Sequence, residues 1–221
     1  MVDSQKPEIG DKRRVRQSPQ RGHYDVESLH RVLDACSIGH VSFMYEDWPQ
    51  SVPTAIARIN SHLYLHGHPK SRLFSTMSSG VRICVSAMFV TGLVKARSAF
   101  HCSMNYQSAV VFGCAEVVSG EEKIELLDAF TEHLIPGSRN DFRPHLPKEL
   151  KGTMLLRLPL TEFSVKIRTG DPVDDKDDLD LPFWAGVIPI NVQYGTPVPS
   201  SDLPPGTQPH DDMLKKHGLL T

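Results

Sequence analysis

The chain lacks the features that mark several common classes of protein. None of its apolar runs approaches the length needed to span a bilayer. Its N-terminus is polar and has no apolar core of the kind found in signal peptides. The formal net charge of −2 predicts no general attraction to nucleic acid or to an anionic membrane. We therefore expect a cytoplasmic protein that binds neither nucleic acid nor membrane.

Motifs of the large nucleotide-binding and hydrolase classes are missing as well. There is no G-x-G-x-x-G, no Walker loop and no G-x-S-x-G, which argues against Rossmann, P-loop and hydrolase folds. The four cysteines are scattered, with neither a C-x-x-C pair nor zinc-ribbon spacing. This spacing predicts reduced thiols and no metal site.

What is present is the composition of a soluble globular protein. The 221 residues are 39% hydrophobic and 23% charged, which is enough to bury one large domain or two small ones. Residues 1–20 are basic and polar and predict a flexible arm, while residues 193–221 are rich in proline and predict a weakly ordered tail. The folded domain is expected to span residues 21–192.

Apolar periodicity predicts a mainly β fold with a few helices. Alternation of apolar and polar residues indicates seven or eight strands, most clearly over residues 81–89, with turns at Asn60-Ser61 and Thr91-Gly92. The acidic segment 171–180 is expected to be a solvated connection. Helical spacing indicates two substantial helices, one with an N-cap at Asp25 and one with a capping box of Ser119 and Glu122. Because strands outnumber helices and do not alternate with them, the pattern favours an antiparallel barrel with helical decorations.

The segment from Arg97 to Gly113 is the most informative stretch. Its first part is crowded with hydrogen-bonding side chains up to Ser108, and it continues as a β-branched apolar run that ends at Gly113. This predicts a polar loop that leads into a buried strand, at the rim of a sheet where a polar, flat or phosphorylated ligand would fit. The alternative is an ordinary strand preceded by a polar loop.

A second polar segment runs from His66 to Arg72. It combines a glycine turn, a hydroxyl group and two cations just before a short predicted helix over residues 73–79. Backbone N–H groups at a helix start, together with cationic side chains, favour a phosphate group. A capped surface helix with solvated cations is the alternative.

Histidines offer a competing interpretation. His62, His66 and His68 share one face if the strand stays extended through Gly67, and His101 could join them. Such a group would suit a metal, or a haem with one axial histidine. No carboxylate lies beside them at metal-like spacing, so we predict no metal site and consider haem less favoured than flavin.

Several polar motifs at strand ends are similar in register to those of one family. The chain resembles the FMN-binding split β-barrel of the pyridoxamine 5′-phosphate oxidase-like superfamily, in the flavin-nucleotide-binding branch related to nitroimidazole-resistance (Nim) proteins. The resemblance covers roughly residues 20–192. The motifs that carry it are residues 63–67 with Ser71-Arg72, residues 96–101, Met104-Asn105-Tyr106 with residues 108–113, and residues 131–137, 166–172 and 184–189.

The resemblance implies an antiparallel, Greek-key type split β-barrel that forms a homodimer and binds FMN, or FAD, at the subunit interface. Phosphate would bind at residues 66–72, and both chains would line the ring. Gln107 departs from the pattern, because related chains usually carry arginine there. The implied cofactor-binding residues are His66, Gly67, His68, Lys70, Ser71, Arg72, Arg97, Ser98, Asn105, Tyr106, Gln107, Ser108, Lys166, Arg168 and Trp184.

No residue stands out as a catalytic acid or base, which is expected where a cofactor carries the electrons. The candidates are His66, His101 and Tyr106. The leading hypothesis is an FMN-dependent oxidoreductase that acts on a small-molecule substrate and uses an electron donor. One alternative is a non-catalytic flavin- or haem-binding protein for storage or sensing. Another is a module that binds a phosphorylated ligand without redox chemistry.

Overall fold

The computed structural model of the protein describes residues 10–139 and 141–220. The described chain is mainly β, with a few helices. The helices are α1 (Val26–Asp34), α2 (Arg72–Met77), α3 (Glu122–Leu134), α4 (Pro147–Gly152) and α5 (Asp211–Lys216). The strands are β1 (Gly22–His23), β2 (Ile38–Tyr45), β3 (Trp48–Ala55), β4 (Ala57–Ile59), β5 (His62–Gly67), β6 (Arg82–Lys95), β7 (Ser103–Cys114), β8 (Glu116–Val118), β9 (Met154–Pro159), β10 (Phe163–Arg168) and β11 (Gly186–Pro189).

The strands form two antiparallel sheets, as the split β-barrel resemblance implied. The larger sheet has the order β1-β10-β7-β6-β2-β3, and β11 extends it by pairing with β6. The smaller sheet has the order β4-β5-β9-β8. Because every strand alternates its side chains, each sheet can bury one face in a shared interior while the other face is left for helices, ligands or a partner.

Two apolar clusters hold the fold together. The main cluster fills the space between the sheets, where Val41, Leu65 and Val111 have no exposed surface. A second cluster lies between the smaller sheet and α3, and Phe130 is its largest fully buried side chain. Helix α1 starts where the N-cap predicted, since the Asp25 carboxylate accepts a hydrogen bond of 2.7 Å from the Ser28 N–H.

Two local predictions in the long hairpin are wrong. Strand β6 does not turn at Thr91-Gly92 but continues as one strand, and a bulge between Val90 and Gly92 absorbs the irregularity. Likewise the polar residues 103–108 belong to β7 rather than to a loop. Pairing with β6 on one side and β10 on the other satisfies the backbone groups of the polar part of β7.

The predicted capping box of α3 does not form. Strand β8 ends at Val118, and the turn that follows places Gly120 at a positive φ of 72°. Ser119 therefore lies two residues before the N-cap, which is Glu121 and makes no side-chain cap hydrogen bond.

The two terminal segments make described contacts. Lys12 forms an ion pair of 3.1 Å with Glu162, and the Val15 N–H donates to the Tyr24 hydroxyl at 2.8 Å. In the tail, α5 packs so closely on Gly137 that a Cβ there would meet its backbone. The first nine residues of the predicted arm, and position 221 of the predicted tail, lie outside the described residues. Flexibility of either segment stays a prediction. None of the described helices is both long and apolar enough to cross a membrane.

Candidate functional site

The predicted site residues fall into two groups. The first, which we call the turn site, is the segment 66–72 that links β5 to α2. The second, which we call the sheet-end site, is the end of the larger sheet where β7 begins and β10 ends, with the loop 96–102 beside it. It contains the other predicted residues, namely Arg97, Ser98, Asn105, Tyr106, Gln107, Ser108, Lys166, Arg168 and Trp184.

At the turn site, two cations lie without acidic partners. Arg72 stacks over the Tyr45 ring, with its guanidinium carbon 4.9 Å from the ring centre. Within the described ranges, neither Arg72 nor Lys70 forms an ion pair, so both charges are free to meet a phosphate. The backbone approaches Phe74 closely at Gly67, where a Cβ would lie 2.8 Å from ring carbon Cδ2. Ser71 caps α2 by accepting the Phe74 N–H at 3.3 Å.

His66 is the histidine of β5 that packs against α3. Its ring lies edge-on to Phe130 with the centres 4.4 Å apart, and its Nδ1 atom is buried and has no hydrogen-bond partner among the described residues. Burial lowers the pKa of His66, so the neutral imidazole is favoured. His62 shares its face at the other end of the strand, whereas His68 lies past the end of β5, so the three do not form one continuous row.

The sheet-end site is organised by strand pairing. Tyr106 pairs with Arg168, and Ser108 pairs with Lys166. The Ser108 hydroxyl also donates to the Lys166 carbonyl at 3.2 Å. Gln107 pairs with Ile167, and its side-chain oxygen Oε1 is buried without a hydrogen-bond partner in the part of the chain that is described.

Arg168 carries a buried charge. The residue is only 6% exposed, and its Nη1 donates to the Asn105 side-chain oxygen. Its remaining acceptors are the backbone carbonyls of Gly170 and Asp171, at 3.5 and 3.4 Å. Burial, and then the nearby charge of Arg21, lowers the pKa of Arg168. No carboxylate of the described residues forms an ion pair with it.

Arg97 and His101 are occupied by the acidic segment 171–180, which we expected to be a solvated connection. That expectation is wrong for Asp174, whereas the Asp175 side chain is exposed. The Asp174 carboxylate accepts the Arg97 N–H at 2.7 Å and Arg97 Nη1 at 2.9 Å, and its side chain is 2% exposed. Asp175 lies 3.1 Å from His101 Nε2. Arg97 is therefore neutralised within its own chain and is a weaker candidate for an anionic ligand.

Trp184 lies close to Lys95, the last residue of β6, and is 61% exposed. It precedes β11, and its backbone carbonyl accepts Lys95 Nζ at 3.4 Å. The indole covers Gly186, because a Cβ there would lie 2.9 Å from the ring. An exposed aromatic ring at the sheet end is a suitable surface for stacking a flat ligand.

Within one chain, the turn site and the sheet-end site lie at opposite ends of β6. Strand β2 pairs with β6 over His40–Ser42, opposite Ser86–Cys84, and Tyr45 lies three residues beyond Ser42, roughly 10 Å further along β2. Tyr106 instead pairs with Val90. Cys84 and Val90 are themselves separated by roughly 20 Å along β6. The distance from a flavin ring to its first phosphate is too short to connect the turn site with the sheet-end site of one chain.

Five of the predicted residues each bury a polar atom that has no hydrogen-bond partner within the described residues. Buried polar atoms are nearly always satisfied in folded proteins, so such a concentration indicates missing ligand or partner atoms. The atoms are His66 Nδ1, Arg97 Nε, Ser98 Oγ, Gln107 Oε1 and Arg168 Nε. Over residues 10–139 and 141–220, no three His, Cys, Asp or Glu side chains come together in a way that could hold a metal ion.

Sequence reasoning missed four residues that shape these sites. They are Arg21, Tyr45, Phe130 and Asp174. The acidic run around Asp174 was visible but gave no sign of its partner, which is 77 residues away. The others are ordinary members of a helix, a strand or a turn, and only their packing places them near the predicted residues.

Comparison with known proteins identifies a matching family and two similar solved structures. A family model described as pyridoxamine 5′-phosphate oxidase matches residues 25–167. No curated protein sequence matches the chain. The flavocytochrome Anf3 from Azotobacter vinelandii is 36% identical, with a TM-score of 0.88 over 95% of this chain and 98% of that chain. The FAD- and haem-binding protein from Mycobacterium smegmatis is 32% identical, with a TM-score of 0.85 over 89% and 97% of the two chains.

A more distantly related solved structure resembles this chain in its fold alone. It is a protein from Bacteroides thetaiotaomicron whose name connects it with 5-nitroimidazole antibiotic resistance. The two chains are 18% identical, and the TM-score is 0.56 over 66% of this chain and 86% of that chain. The predicted resemblance to the pyridoxamine 5′-phosphate oxidase-like superfamily is confirmed.

Proposed function

Because the chain belongs to the pyridoxamine 5′-phosphate oxidase family, we propose that it is a flavin-binding oxidoreductase that also binds haem. The observation that carries this proposal is the concentration of buried, unsatisfied polar atoms in the residues predicted to bind a cofactor. Two structures that match most of the chain are named as a flavocytochrome and as an FAD- and haem-binding protein, which supports both cofactors.

The residues present fit a flavin. Lys70 and Arg72 offer two cations without acidic partners for its phosphate. At the sheet end, Gln107 Oε1 and Ser98 Oγ are buried, have no hydrogen-bond partner among the described residues and suit the ring heteroatoms. A bound flavin would supply hydride or single-electron transfer to a small-molecule substrate, while these side chains bind and orient it. Whether the flavin is FMN or FAD is part of the test.

We further propose that the flavin is shared by two chains of a homodimer. The separation of the turn site from the sheet-end site within one chain supports this arrangement. The sheet end also exposes a row of apolar side chains on three neighbouring strands, since Leu93 pairs with Met104 on one side and Ile188 on the other. They are 44%, 48% and 52% exposed, so a second copy would remove them from water.

A mixed-dimer experiment tests the shared site. One chain would carry Lys70→Ala with Arg72→Ala, and the other would carry Tyr106→Ala. Each variant alone should bind flavin weakly, whereas the mixed dimer should recover about half of the wild-type sites, because one of its two sites receives only intact residues. Mixed dimers that bind no better than either parent would show that a single chain supplies both halves.

For haem, His66 is the residue that fits best. It is half-buried and packed against Phe130, its neutral form is favoured, and its buried Nδ1 has no protein partner in the described chain. Neutral imidazole is the common axial ligand of haem iron. His101 fits less well, because Asp175 already occupies its Nε2. His66→Ala should remove the Soret band, while His62→Ala on the same strand face should retain it.

The primary experiment is the absorption spectrum of the purified protein, with chromatography of the released flavin. A two-band flavin spectrum together with a Soret band is the expected result. A colourless protein that ignores added FMN, FAD and haem would refute the proposal. Turnover of a nicotinamide donor then separates an oxidoreductase from a non-catalytic binding protein, which would hold its cofactors but consume no donor.

A further inference from the structure

Arg21 and Arg168 lie at the same edge of the larger sheet, and no acidic side chain of the described residues forms an ion pair with either. Strand β1 pairs with β10, so that Gly22 lies opposite Lys166, and the residues that end at Arg21 contact β10 close to the end where Arg168 lies. Arg168 is 6% exposed. Arg21 is half-buried and, in the described chain, its side chain makes neither a hydrogen bond nor an ion pair.

Burial of a guanidinium among neutral acceptors is unfavourable unless another charge compensates for it. Arg168 has only an amide oxygen and two backbone carbonyls as acceptors, and Lys166 two residues earlier adds a further cation nearby. Like charges in a partly buried place repel each other more strongly than in water. The arrangement therefore lacks one negative charge, and no described carboxylate supplies it.

A purely structural role for Arg168 explains only part of this arrangement of charges. The bonds from Nη1 and Nη2 of Arg168 hold the turn at Gly170 and Asp171. They leave the buried Nε without a hydrogen-bond partner in the described chain. They also give no reason for a second arginine beside the first. An anion that accepts from Nε and lies between the two guanidinium groups would account for both features.

We propose that Arg21 and Arg168 form a subsite for a phosphoryl group, separate from the cations of the turn site. The subsite itself stands on this geometry. The identity of the molecule that carries the phosphoryl group rests on the proposed function, since the group belongs either to the adenylate half of FAD or to a phosphorylated substrate. Bidentate contact with phosphate oxygens is the interaction for which arginine is best suited.

The test uses inorganic pyrophosphate as the probe. To silence the turn site, all chains carry Lys70→Ala with Arg72→Ala, and calorimetry measures the dissociation constant of pyrophosphate. Arg21→Gln should raise it by about tenfold or more, because a charged contact is lost. Arg16→Gln is the matched control, since Arg16 lies in the same segment, is exposed and is already paired with Asp11. The dissociation constant of pyrophosphate should be the same for the Arg16→Gln variant as for its parent.

A second readout separates binding from folding. Without an anion, Arg21→Gln should raise the melting temperature, because it removes repulsion between two uncompensated cations. Pyrophosphate should then stabilise the parent protein but not this variant. If Arg21→Gln leaves pyrophosphate affinity unchanged, or if the parent binds no pyrophosphate, the subsite does not exist. Arg168→Lys keeps the charge but loses Nε, and it should weaken pyrophosphate binding as well.

Flavin titrations on a wild-type background identify the source. If Arg21→Gln weakens FAD but not FMN, the subsite takes the second phosphate of the dinucleotide. If both flavins bind as before while pyrophosphate binding is lost, the subsite serves a phosphorylated substrate. Failure of the wild-type protein to bind either flavin would refute the proposed function. The pyrophosphate result would still decide the subsite.

Discussion

Replacement of Gly67 by alanine tests whether close packing at the turn site controls both stability and cofactor affinity. An added Cβ at this position would lie 2.8 and 2.9 Å from ring carbons Cδ2 and Cζ of Phe74, and closer still to Cε2. Carbon atoms pack best at about 3.5–4.0 Å, so the ring has to move by roughly 1 Å. Phe74 is 4% exposed and belongs to the main core cluster, so it has little room.

Overpacking of this kind costs about 1–3 kcal/mol. For a chain of 221 residues, each kcal/mol shifts the melting temperature by about 2–4 °C, so Gly67→Ala should melt about 2–12 °C lower. Flavin affinity should fall too, because the Phe74 N–H bonds the Ser71 hydroxyl and a displaced Phe74 moves the turn. Thermal melts and flavin titration measure the two effects.

Gly152→Ala is the matched control. Gly152 ends α4, and a Cβ there would meet nothing within 4 Å. This variant should melt within about 1 °C of the wild type, or slightly higher, and should bind flavin unchanged. The clash itself is tested by adding Phe74→Leu, which should destabilise the Gly67→Ala protein less than it destabilises the wild type. A Gly67→Ala protein with wild-type melting and flavin affinity would refute the reasoning.

Three further predictions concern other parts of the fold. Burial lowers the pKa of His133 below its ordinary value of 6.5, so its contribution to stability is complete above about pH 6.5 and is lost as the pH falls through the lowered value. His133→Gln should therefore lose less stability than the wild type in urea melts between about pH 7 and 5; parallel curves would contradict this. Asp174→Asn should release the acidic segment and speed tryptic cleavage at Lys176, whereas Asp180→Asn, which changes an exposed side chain away from the cleaved bond, should not. Leu93→Glu should yield monomers by light scattering; dimers that persist would place the interface elsewhere.

Much of the fold could be predicted because its signals are local. The N-cap at Asp25 and the helical spacing after it define α1. Asn60, at a positive φ of 53°, occupies the two-residue turn between β4 and β5, as the sequence predicted. Alternation of apolar residues also predicted most strands, because burial of one face depends on neighbours within the same strand.

Errors occurred where a distant segment overrides a local signal. Thr91 and Gly92 are common turn residues, but β11 pairs with β6 at this point and keeps the backbone extended. Nothing in the residues near Gly92 indicates a partner almost a hundred positions later in the chain. Ser119 and Glu122 have the spacing of a capping box, but the end of β8 decides where α3 can begin.

For the candidate site, the amino-acid pattern alone indicates which side chains have the right chemistry. The cations, hydroxyls and histidines of the turn and sheet-end sites were all visible as polar residues at strand ends. Which of them are available depends on how the chain folds. Asp174 neutralises Arg97 across 77 residues, whereas Arg168 Nε and His66 Nδ1 are buried atoms that no described group satisfies. Availability depends on long-range neighbours in space, and these are absent from any local pattern of residues.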